Sequence, residues 1–160
     1  MEPKFEDFLQ YFPEVKLPVT LTEGSYQEFS AVLPPLPVAM IEQFLMSAEE
    51  EDDGMTEYIP CFRLPDVAGY KALVYWKAGL LNYEYIVQTY TNDGRGIIDN
   101  HVVAGTFVNG TEITQAVARI DPDRMIYTAT GLLEEENDFA EASNNTISIV
   151  EIFENGSIGL

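Results

Sequence analysis

Apolar residues change their spacing once along this chain, from a helical period near the N-terminus to alternation beyond Tyr58. Phe5, Phe8, Leu9 and Phe12 fall at i, i+3, i+4 and i+7, one face of a short helix, which Pro13 ends. Leu17-Pro18-Val19-Thr20-Leu21 reads as an extended lead-in. Pro34, Pro35 and Pro37 then precede Val38, Ile41, Phe44 and Leu45. That pattern predicts a second amphipathic helix with proline near its first turn, where a missing N–H costs nothing. Acid at a helix C-terminus opposes the macrodipole, so Glu49, Glu50, Glu51, Asp52 and Asp53 are placed in a loop beyond it, closed by Gly54.

From there the period is two. Strands are expected over 58–64, 71–77, 81–91, 97–108, 112–120, 125–130 and 146–153, the first weakened by Pro60 and so suited to an edge. Ala78-Gly79, Asn92-Asp93-Gly94, Asn109-Gly110 and Asp121-Pro122-Asp123-Arg124 are turn signals. Turns this short make neighbouring strands antiparallel, since parallel pairing needs a crossover of about a dozen residues or more. The expectation is an α+β fold in one domain over 1–160. Residues 1–54 form a helical part and 55–160 an antiparallel meander of about seven strands, with the two N-terminal helices packed on one face. Phe5, Phe8, Phe12, Ile41, Phe44 and Leu45 should meet the sheet.

Charge changes the picture of function more than of fold. The chain has 27 acidic against 8 basic side chains, a formal net charge of -19 in 160 residues. That argues against nucleic acid, whose phosphates are bound by Lys and Arg displacing counterions, and against an anionic membrane surface. It favours a basic protein or peptide as partner. The acid is partly clustered, in the run 49–53 and in Glu134, Glu135, Glu136, Asp138 and Glu141. Without those ten residues 17 acids still face 8 bases, so the folded surface is acidic too. The simpler reading of such charge is solubility.

A hydrophobic content of 46% with nine Phe and nine Tyr supports a packed core rather than disorder. Cys61 is the only cysteine, so an intrachain disulfide is excluded. No charged-then-apolar leader opens the chain, and no apolar run approaches the roughly 18 residues of a membrane span. Cytoplasm is the expected compartment.

Candidate chemistry is sparse. Asp99 and His101 lie two apart in a strand and so share a face, where a carboxylate could orient the imidazole for acid–base work. A polar surface pair is the simpler account. No serine has the flanks of a nucleophile elbow. Cys61 sits among Ile59, Pro60 and Phe62, the setting of an inert buried thiol. The acidic runs lack the alternation and glycine of a calcium loop, and one His with one Cys does not make a zinc site, so no metal or other cofactor is expected. Gly94-Arg95-Gly96 precedes a strand rather than a helix, which excludes a phosphate loop.

Tyr75, Trp76, Tyr83, Tyr85 and Tyr90 crowd two adjacent strands, and Tyr is enriched at binding surfaces. Cross-strand core pairing is the simpler role. The functional expectation is a non-enzymatic acidic protein-binding domain. Its most concrete form, by analogy of size and charge alone, is an immunity-type inhibitor of a basic protein such as a nuclease toxin. The partner-binding residues would be Glu49, Glu50, Glu51, Asp52, Asp53, Glu134, Glu135, Glu136 and Asp138, with Tyr83 and Tyr85 as anchors. The alternatives are a small enzyme using the Asp99/His101 pair, or an accessory subunit that dimerises through a sheet edge.

Overall fold

The computed structural model describes residues 2–46, 54–133 and 146–160, and both acidic runs lie outside them. The seven expected strands are present: β2 (Glu57–Arg63), β3 (Lys71–Ala78), β4 (Asn82–Tyr90), β5 (Ile97–Asn109), β6 (Glu112–Ile120), β7 (Met125–Leu133) and β8 (Thr146–Ile152). Two short strands raise the number to nine: β1 (Val19–Leu21), within the extended lead-in, and β9 (Ile158–Gly159). β2 to β9 form an antiparallel meander in chain order, and β1 pairs the end of β6.

The sheet turns a corner in β5. Its length from Ile97 to Phe107 pairs β4, but only Gly105–Asn109 pairs β6. A register shift opposite Tyr85 and Ile86 marks a bulge just before Gly105, the device by which strands change direction in a sheet. Gly105 has φ 154°, and a Cβ there would collide with the Tyr83 carbonyl. Beyond the corner, the Thr128 hydroxyl donates to the Val103 carbonyl at 2.8 Å, tying β7 back to the first half of β5. One core therefore draws Val74, Trp76, Tyr85 and Val87 from one side of the corner and Ala118, Ile120, Ile126 and Val150 from the other.

Both helices expected from the sequence lie on the opposite face of β3 and β4. They are α1 (Phe5–Leu9) and α3 (Val38–Met40), the latter continued by a π-helical turn over Ile41–Leu45. Phe5, Phe8, Phe12, Phe44 and Leu45 pack there with Leu73, Tyr75, Ile86 and Tyr90. Helix ends leave carbonyls unpaired. Here the Phe44 carbonyl accepts from Gln88 Nε2 at 2.9 Å and from the Tyr90 hydroxyl at 2.8 Å, which explains a buried glutamine in a strand. A third helix, α2 (Ser25–Val32), packs across β2 on the other side, with Tyr26 and Phe29 against the corner core. Among the described residues no helix is long and apolar enough to cross a membrane.

Candidate functional site

The site is built where α2 meets the corner of the sheet. Alternation on β3 places Trp76 on the α2 side, and its register partner on β4 is Tyr85. Tyr83, two residues earlier, faces Ala78, whose single methyl leaves room for the Tyr83 ring to lie diagonally against Trp76. The two rings are parallel within 7° at a centroid distance of 5.9 Å. From α2, Tyr26 stacks on Trp76 at 3.9 Å and 4°. Three nearly parallel rings thus form one wall.

Tyr85 fixes the helix that carries Tyr26. The N–H groups of a helix's first turn have no intrahelical acceptor, and the Tyr26 N–H donates to the Tyr85 hydroxyl at 2.7 Å. Burial pushes the Tyr85 phenol well above its ordinary pKa, an effect the Tyr26 N–H partly opposes, so the hydroxyl stays neutral. Upstream, the Thr22 N–H donates to Ser25 Oγ at 2.9 Å, which shapes the turn presenting Glu23. Glu23 Oε2 accepts from Gln115 Nε2 at 2.9 Å, and Gln115 is itself buried on β6.

These parts enclose a cavity of about 240 Å³ lined by Glu23, Tyr26, Trp76, Tyr83, Tyr85, Gly105 and Thr106. Tyr83 is 39% exposed, Trp76 6% and Tyr85 1%. Tyr83 and Tyr85 do share a face, but only Tyr83 offers its ring to solvent, and Tyr85 is an inner wall. The cavity is lined by three rings, of which Tyr26 and Trp76 cover each other, and one carboxylate. Both kinds of group attract cations, because the face of an aromatic ring is electronegative.

Sequence reasoning missed Glu23 and Tyr26, since 22–33 was not read as a helix. The signal was there: Tyr26, Phe29 and Leu33 recur at i, i+3 and i+7, after Thr22 and Ser25 of a helix-opening turn.

The other sequence candidates separate. Glu49, Glu50, Glu51, Asp52, Asp53, Glu134, Glu135, Glu136 and Asp138 lie outside the described residues. Asp99 Oδ1 accepts from the Asn100 N–H at 2.8 Å, and Oδ2 from the Ile158 N–H at 2.8 Å. Its carboxylate is thus engaged in fastening β9 to β5, and none of its hydrogen bonds runs to His101, which stands opposite Val87. Cys61 is fully buried and its thiol is pushed far up by that burial, as an inert core residue should be. The Asp93 carboxylate caps its own turn, accepting from the Arg95 N–H and the Thr91 hydroxyl, which hold it below the usual carboxylate range. Among the described residues no group of three or more His, Cys, Asp or Glu gathers as a metal site would need.

A larger cleft of about 600 Å³ lies at the far end of the sheet, between Val67–Tyr70, Asp123, Arg124 and Glu151–Glu154. Its cation is only partly engaged: Arg124 Nη2 donates to the Pro65 carbonyl at 2.6 Å, while Nη1 is buried without a hydrogen-bond partner among the described residues, and the walls mix that charge with three carboxylates. The aromatic cavity is the better-defined site. No protein-family model, curated protein or solved structure matches this chain.

Proposed function

We propose that this protein is a non-enzymatic, cytoplasmic binding domain whose acidic surface docks a basic protein, with the Tyr26–Trp76–Tyr83 cavity as the anchor point. The observation that carries the reading is an aromatic cavity with a carboxylate at its rim, set in a chain of net charge -19. Much of the chain's small positive charge is engaged internally. Arg63 pairs with Glu14 and Asp66, Lys71 with Asp66, Arg95 with Asp93 and Arg119 with Asp121. The acid in excess is left for solvent or a partner.

Long-range field and local cavity have separate roles in this account. The field speeds encounter with a cationic surface and rejects acidic ones. The cavity supplies a buried aromatic anchor of the kind that dominates binding energy in interfaces. An immunity-type inhibitor of a basic toxin is the most concrete form of this function. The test is a pull-down from lysate at low and moderate salt, followed by repetition with Tyr83→Ala. A basic protein retained by wild type, weakened by salt and lost from the variant supports the proposal. A partner retained equally by Tyr83→Ala, or of acidic character, contradicts it.

A further inference from the structure

We infer that the cavity takes a planar guanidinium, an arginine side chain of the partner, in preference to a lysine ammonium; the inference rests on the binding reading above. The Tyr26 and Trp76 rings cover each other at 3.9 Å, and the Tyr83 ring lies within 7° of parallel to Trp76, so the exposed Tyr83 ring extends a flat stack rather than one side of a rounded cage. A guanidinium is planar and weakly hydrated, and it stacks on such a surface, whereas an ammonium is a compact, strongly hydrated point charge. Tyr83 is the ring whose face is open to an incoming group.

The carboxylate suits the same occupant. Gln115 holds Glu23 through one bond to Oε2. A carboxylate offers about four lone-pair positions, so both oxygens can still accept from a forked donor, the arrangement in which arginine binds carboxylates best.

The chain builds this combination elsewhere for an arginine of its own. The Arg119 guanidinium lies 5.1 Å from the centroid of the Tyr127 ring. Its Nε and Nη2 reach Asp121 Oδ1 and Oδ2 at 2.8 and 3.3 Å. One ring face and one forked carboxylate thus hold a guanidinium on this same surface chemistry. The cavity offers the same two elements, a ring face and a carboxylate.

The test uses N-acetyl-arginine amide and N-acetyl-lysine amide as probes, titrated at low salt and followed by the Trp76 indole N–H resonance. A cation over an exposed ring gains roughly threefold in affinity, and the forked bond to the Glu23 carboxylate, which a guanidinium makes and an ammonium does not, carries most of the preference between the two. The expected result is a saturable shift of Trp76 with a Kd for the arginine probe at least about threefold below that for the lysine probe. Glu23→Gln should erase most of that preference, and Tyr83→Ala should remove the saturable shift. Both positions are exposed, so each variant is expected to keep its fold, checked by the rest of its amide spectrum. Equal affinity for the two probes, or shifts that miss Trp76 and Tyr83, overturns the inference. A short peptide of mixed Lys and Arg separates the two levels. If it binds at low salt while the probes do not discriminate, only the arginine preference falls. If it too fails to bind, the docking reading falls with it.

Discussion

The two faces of β3 and β4 use the same residue types to opposite ends. On one, α1 and the π-helical turn lay Phe5, Phe8, Phe12 and Phe44 over Tyr75 and Tyr90, with ring pairs at 28–66° to one another and 4.6–6.2 Å apart. The polar groups there are consumed by the Gln88–Tyr90–Phe44 hydrogen bonds. On the other face, Tyr26, Trp76 and Tyr83 are parallel, one ring is open to solvent, and a carboxylate stands beside them. The first face is closed in both packing and hydrogen bonding, as a core must be. The second leaves the Tyr83 ring exposed and the Glu23 carboxylate held by a single side-chain hydrogen bond, with capacity for a partner. Aromatic content alone does not distinguish them; the mutual angle of the rings and the fate of the polar groups do.

Substitutions should therefore divide into those that unfold and those that only unbind. Phe8→Ala, at a fully buried ring touching Phe5, Phe12, Phe44 and Tyr90, should cost about 3–5 kcal/mol in urea unfolding. Next comes Gly105→Ala, whose methyl meets the Tyr83 carbonyl across the β4–β5 pair. It should cost more than about 1 kcal/mol, and it should also disturb the cavity, making it the one change that touches both properties. Tyr90→Phe removes the hydrogen bond to the Phe44 carbonyl and the one accepted from Gln88 Nε2, but leaves Gln88 its bond to the Phe44 carbonyl. A loss of about 1 kcal/mol is expected, with cavity binding unchanged. Tyr83→Ala should leave unfolding nearly unchanged and abolish binding, the sharpest contrast with Phe8→Ala.

The pH dependence divides less sharply, because buried phenols occur on both faces. Tyr85 and Tyr90 have their pKa values raised by burial above the ordinary 10.0. A raised folded-state value means the unfolded chain loses these protons first. Stability is thus complete below about pH 10 and falls as the pH rises beyond it. Thermal unfolding followed from pH 8 to 11 should show this fall, and Tyr90→Phe should make it shallower.

The strands and the outer helices were legible because each needs only local information. Alternation from Tyr58 onward and turn pairs such as Asn109-Gly110 delimit β5 and β6 to within about a residue. Phe5, Phe8 and Phe12 announce one apolar helix stripe. What was not legible depends on two-sided burial and on distance in the chain. On β4, Tyr85 and Val87 enter one core while Ile86 and Gln88 are buried on the other side, so alternation could not say which face was solvent. The corner depends on a bulge just before Gly105, invisible to a period-two pattern. The cavity joins residues near positions 25, 76, 84, 105 and 115, and α2, which completes it, is only partly buried and weakly amphipathic. The two acidic runs, prominent in the sequence, lie outside the described residues, and the charge that the site itself supplies is the single carboxylate of Glu23.

Trp76 is the only tryptophan in the chain, so its emission reports on the cavity without background. Titration of the wild-type protein with a short Lys/Arg peptide, at low and then moderate salt, tests the central claim most directly. The account predicts a saturable change in Trp76 emission that weakens with salt and is absent from Tyr83→Ala. Binding that leaves Trp76 emission unchanged, or changes it equally in Tyr83→Ala, would contradict it.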